Sequence, residues 1–222
     1  ATSIHLDHLR NLDGAESIEE VKEQEREDIM DSDKSKEIKW SDQLLDEDGN
    51  LKTWEKQLLE YEYGLIDDTP LVLQENSKDL SYADVDNLPI TMNTSTLRKL
   101  KSKHNIDGKT IIDSARLLKK TVLGIQSKSF DSSLVFLLDY KSDRGYLMTM
   151  ILRENKKLGS YEVNEITSIY DRKNFESMFI QSVDDNKKVW LNPEKIKEIT
   201  SQDLQFVPDS LSLYTNNISG VV

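Results

Sequence analysis

The chain has 222 residues, 36% of them apolar, which suits one domain with a proper core plus a sizeable appendage rather than a wholly disordered polypeptide. Zero cysteines exclude disulfides and thiolate metal sites, and three histidines (His5, His8, His104) leave little for a zinc centre, so no metal or other cofactor is expected. The net charge of −12 argues against nucleic acid only as an average: the acids crowd into residues 1–90, whereas bases slightly outnumber acids over 91–222, and a polyanionic partner for that second part stays open.

No apolar run reaches the roughly 18 residues of a membrane helix, and the amino terminus lacks the pattern of a signal peptide. A soluble protein without a membrane partner is expected. Residues 14–37 are nearly all polar, with Ser17 and Glu20 at capping-box spacing, and read as an exposed helix or a linker. Asp46, Asp48, Gly49 and Glu55 mimic part of a calcium loop, but Leu44 stands where the first carboxylate belongs, so Asp48-Gly49-Asn50 reads as a turn. Trp54, Leu58 and Tyr61 at i, i+4 and i+7, followed by Gly64, predict a helix that must pack on something. Prolines and acids between Asp67 and Pro89 mark loops and place a unit boundary near residue 88, giving an acidic helical segment or linker over 1–87 and a second domain over 88–222.

In the second domain two amphipathic helices come first, one with Leu97 and Leu100 inward and one with Ile111, Ala115 and Leu118 on one face. The period then drops to two. Four strands are predicted over residues 121–127, 132–140, 145–153 and 161–170, the middle two apolar on both faces and therefore covered on both sides. A helix over 173–183, a short strand over 187–191 and a helix begun by Pro193 complete the pattern. The fold class is α+β: two helices followed by a four-stranded antiparallel meander with C-terminal helices, preceded by an acidic helical segment.

The fourth strand carries the chemistry-bearing groups. In a regular strand Asn164, Ser168 and Tyr170 share a face and Glu165 points to the other, and Arg172 and Lys173 follow directly. Hydroxyl and amide donors beside a guanidinium could cradle a phosphate; the alternative is an edge strand whose polar face is merely wet. His104 is the one histidine of the second domain and the natural proton-transfer group, or else a structural histidine at a helix end, bonded to a free carbonyl. Lys103 beside it belongs either to a binding site or to a solvated basic face.

The stretches "PITMNTSTLRKLKSKHNI", "SSLVFLLD" and "YEVNEITSIYDRKN" resemble the domain at the carboxyl end of phage MuF-type head morphogenesis proteins and in long phage polyvalent proteins, over roughly residues 88–205. The matching positions are Lys103, His104 and Asn105; Ser133, Leu134 and Val135; Val163, Asn164, Glu165, Ile166, Ser168 and Tyr170; and Asn174. Asp171-Arg172 stands where the family tends to have Gly-Lys, which keeps a base but reduces the freedom for a positive φ. Such domains look similar to the barnase, EndoU, colicin and RelE-like ribonucleases and toxins. That resemblance implies metal-independent RNA cleavage, with His104 as acid or base, Arg172 as phosphate clamp, Asn164, Ser168 and Tyr170 as positioning groups with Lys103 and Lys173 beside them, and Glu165 as a second proton carrier if the strand bulges. It also implies a phage product acting in the cytoplasm of the bacterial host or carried with the particle. The rival expectation is a non-enzymatic phage module that binds a protein partner, its acidic segment serving as a cover or a nucleic-acid mimic.

Overall fold

The computed structural model describes residues 38–104, 106–129 and 132–201. The helix or linker expected over 14–37, His5, His8, Asn105 and the tail from residue 202 lie outside them. The chain divides into two compact units, Ala1–Lys39 and Trp40–Val222.

In the second unit a single 3-10 turn (Asp42–Leu44) leads to helix α1 (Trp54–Glu62), strand β1 (Leu71–Gln74), a longer 3-10 stretch (Lys78–Ala83) and strand β2 (Ile90–Met92). Helices α2 (Thr94–Ser102) and α3 (Gly108–Leu117) follow, then β3 (Thr121–Gln126), β4 (Ser133–Lys141), β5 (Leu147–Leu158) and β6 (Tyr161–Asp171). Helix α4 (Phe175–Asp184), strand β7 (Val189–Leu191) and helix α5 (Pro193–Ser201) close the order.

The expected meander is present as β3 to β6, all antiparallel, but it is the centre of a seven-stranded sheet in the order β1-β2-β6-β5-β4-β3-β7. Strand β2 joins β6 in parallel and β1 extends the sheet beyond it. The boundary between compact units accordingly falls after Lys39, not near residue 88. Four- and three-residue strands flanked by prolines carry too little alternation to be read as strands, which is why 67–89 looked like loop.

Both sheet faces are covered. Leu134, Phe136, Leu138, Met148, Met150 and Leu152 share one core with Trp54 and Leu58 of α1, Leu97 and Leu100 of α2 and Ile111 of α3. On the other face Leu123, Ile125 and Leu137 pack with Phe175 and Phe179 of α4. Each such side chain contributes about 1.5–3 kcal/mol of burial, so the residues of α1 belong to the fold rather than to a linker. Trp54 Nε1 donates to the Ile111 carbonyl at 3.1 Å, tying α1 to α3.

Two local devices protect the sheet. The outer edge of β1 is closed by a side chain: buried Gln57 of α1 donates to the Val72 carbonyl at 3.0 Å and accepts from the Val72 N–H at 2.8 Å, as a neighbouring strand would. In β3, a Cβ at Gly124 would come within 2.9 Å of Phe136 Cε1, so only glycine lets that ring lie flat against the strand.

Candidate functional site

Helix α2 ends where the Ile106 N–H reaches back to the Leu100 carbonyl at 3.0 Å, and α3 starts at once with Asp107 as its cap, accepting from the Thr110 N–H at 2.7 Å. This tight junction throws His104 outward. It is exposed and its ring stacks on Tyr170 near the end of β6, centroids 5.7 Å apart and planes 23° from parallel. The imidazole has no hydrogen bond to a carbonyl among the described residues; its ring contact is the stack on Tyr170.

Around this pair opens a pocket of about 520 Å³, walled by Lys103, His104, Asp107 and Thr110 on the helix side and by Ser142, Arg144, Tyr170 and Asp171 on the sheet side. Met148 and Ile106 form apolar patches in the wall. The turn from Ser142 to Gly145 belongs to the β4–β5 hairpin, with Gly145 at φ +79°. Pairing of Met148 with Asp171 brings that turn against the end of β6. There Asp171 accepts from Ser142 Oγ at 2.7 Å and from Arg144 Nε at 2.8 Å, and its other oxygen accepts from Arg144 Nη2. Burial pushes the Asp171 carboxyl up, but the bonds from Ser142 and Arg144 outweigh it and hold the group below the usual carboxylate range.

Of the residues proposed from sequence, His104, Lys103 and Tyr170 meet in this pocket. Arg172 touches Tyr170, donating to its hydroxyl at 2.7 Å with its carbon 5.3 Å from the ring centroid, but it rests against Met178 of α4 and does not line the pocket. Lys173 is exposed and lies outside the lining too, as does half-buried Ser168.

Asn164 and Glu165 are elsewhere. Asn164 is fully buried: its amide donates to Ser77 Oγ at 2.8 Å and to the Asp86 carbonyl at 2.9 Å, and accepts from the Asn155 N–H. Glu165 is buried against Asn93 and Lys156, the latter at 2.6 Å. Five residues of strand separate it from Tyr170, on the order of 15 Å.

A bulge explains the failure of the predicted row. Ser168 faces Ile151 and Ile166 faces Leu152, so Thr167 is the extra residue and the alternation inverts across it. Ile166 and Ile169 then enter the same core, while Glu165, Ser168 and Tyr170 oppose Arg153, Ile151 and Thr149, which lie on one side of β5. The bulge does bring Glu165 to the face of Tyr170, as the role of second proton carrier beside His104 required, but too far along the strand to reach His104.

The basic side of α2 is not left open either. Arg98 pairs with Asp68 at 2.8 Å and bonds the Tyr61 hydroxyl, and Lys101 pairs with Glu62. The hydrogen bond from Arg98 holds the Asp68 carboxyl below its ordinary range. Lys103, by contrast, makes no ion pair among the described residues. Among those residues, too, no helix is long and apolar enough to cross a membrane, and no three histidines or carboxylates gather to hold a metal ion.

Sequence reasoning missed Ser142, Arg144 and Asp171. A signal was available: in an antiparallel meander the turn after the second strand must lie against the end of the fourth, and both carried charge. No curated protein and no solved structure matches the chain. Residues 95–198 match the phage MuF-C-terminal domain family, a span that runs from α2 into α5 and includes every residue lining the pocket, so the pocket sits in the part of the chain that is similar to a phage MuF-type domain.

Proposed function

We propose that the second unit is a phage nuclease-like effector domain that cleaves RNA at the His104 pocket. The observation that carries this reading is the exposed imidazole stacked on Tyr170 beside Lys103, which has no ion pair among the described residues, in an open, water-accessible hollow. Stacking restricts the ring to one plane, and an imidazole can both accept and deliver a proton. His104 removes the proton from a ribose 2′-hydroxyl; the 2′-oxygen bonds to phosphorus, the P–O5′ bond breaks, and water protonates the departing 5′-oxygen. The Lys103 ammonium steadies the negative charge that grows on the phosphoryl oxygens. The product is a 2′,3′-cyclic phosphate.

The test is incubation of the full chain with RNA, alongside His104→Gln. Cleavage to cyclic phosphate ends by the wild type, reduced about 10²-fold or more in the variant, is the expected result. Intact RNA at high protein concentration would remove the enzyme.

A second reading, a protein-binding module, is favoured by one feature. Leu59, Tyr63 and Leu65, at and just beyond α1, are more than half exposed, and apolar side chains grouped in this way mark contact surfaces. Aspartates at 107, 143 and 171 around the pocket also offset its bases and weaken its attraction for a long polyanion.

A further inference from the structure

The pocket contains a cation that the sequence reading left in a turn. We infer that Arg144 is the phosphate-binding residue of the His104 pocket, the role expected of Arg172, and that Asp171 and Ser142 hold it in position. This rests on the pocket being the functional centre proposed above.

The geometry separates the two arginines. Arg172 has its guanidinium occupied by the Tyr170 hydroxyl and the Met178 thioether and lies outside the lining. Arg144 lines the pocket with its side chain 68% exposed, while the carboxylate that grips it is only 7% exposed. Asp171 engages Nε and one hydrogen of Nη2, the side edge of the guanidinium. The end edge, formed by Nη1 and the second Nη2 hydrogen, makes no hydrogen bond among the described residues, and it is a planar two-donor fork that matches two phosphate oxygens.

The usual penalty for such a clamp is ordering a long side chain on binding. Here Asp171 has already ordered it. Asp171 is in turn fixed by the Ser142 hydroxyl and by its place at the end of β6, opposite Met148. The ligand class is a phosphate mono- or diester whose phosphoryl group lies between the Arg144 fork on the sheet side and Lys103 and His104 on the helix side.

Inorganic phosphate titrated into the full chain is the probe, with the His104 imidazole and Arg144 Nε–H resonances followed by NMR. Phosphate should shift both. Arg144→Ala should weaken binding about tenfold or more and Arg144→Lys about threefold, because the charge survives but the fork does not; Arg172→Ala should leave it unchanged. Asp171→Asn separates positioning from charge. Loss of a negative group would by itself tighten phosphate binding, whereas loss of the grip on Arg144 weakens it and moves the Nε–H resonance. Weaker binding is the expected result, and tighter binding would overturn the role given to Asp171. Binding of phosphate that is absent, or indifferent to Arg144→Ala in a folded variant, would overturn the site. Phosphate binding that depends on Arg144 without RNA cleavage would instead retain this site and remove the nuclease.

Discussion

The two ends of β6 are equally polar in sequence and opposite in use. At one end Asn164 and Glu165 are sealed beneath the chain around Ser77, Asp86 and Asn93, every hydrogen bond turned inward. At the other, Tyr170 and Asp171 stand at the mouth of a pocket with His104 and Arg144. The difference lies in what crosses the strand. Strand β2 pairs with residues 164–166 and brings its flanking loops over them, and its pairing with β6 ends at Ile166. Polar groups under a covering segment must be satisfied internally and become pillars; the same groups past its edge remain free for a ligand.

Substitution can break this comparison most sharply at Asn164. Asn164→Ala takes the acceptor from the Asn155 N–H and one donor each from the Ser77 hydroxyl and the Asp86 carbonyl, which keep only their bonds with Leu88, and leaves a hole in a fully buried site; it should destabilise the unit by about 2–4 kcal/mol. Chemical denaturation measures this, while RNA cleavage by the fraction that remains folded should match the wild type; loss of activity without loss of stability would place Asn164 in the site after all. His104→Gln should do the converse, lowering cleavage about 10²-fold with the unfolding midpoint unmoved. Glu165→Gln sharpens the contrast at smaller scale. It weakens the bond between buried Glu165 and the part-exposed Lys156 and should cost about 1 kcal/mol with no effect on cleavage.

The smallest effect is a pH dependence at the covered end. Burial, then the nearby charges of Asp86 and Asp84, push the Glu154 carboxyl above its ordinary value of 4.5. A group whose folded pKa is raised adds stability when protonated and loses that contribution as pH climbs from the unfolded value through the folded one. Glu154→Gln should therefore be more stable than the wild type at neutral pH, with the advantage shrinking as pH falls towards 4.5. Thermal melts of both proteins across that range check the sign, and a constant difference at all pH values would contradict it.

Much of the architecture was readable because periodicity is local. Leu97 and Leu100, Ile111 and Leu118, and the alternating cores of β4 and β5 announce their elements through spacing alone. The site was readable in part. His104, Lys103 and Tyr170 stood out as residue types and the fold does bring them together, whereas Asn164 and Glu165 stood out equally and the fold buries them. One inserted residue, Thr167, defeats any face assignment that counts by twos, and nothing in "NEITSIY" marks it.

Composition and spacing by themselves determined an α+β chain with an antiparallel meander at its heart and one histidine at a helix end, since these follow from interactions between near neighbours. Tertiary structure alone decided that β1 and β2 complete the sheet, that Arg144 rather than Arg172 lines the pocket with His104, and that Asn164 is a pillar. Those outcomes depend on which segments, distant along the chain, exclude water from a given side chain, and a local pattern does not encode that.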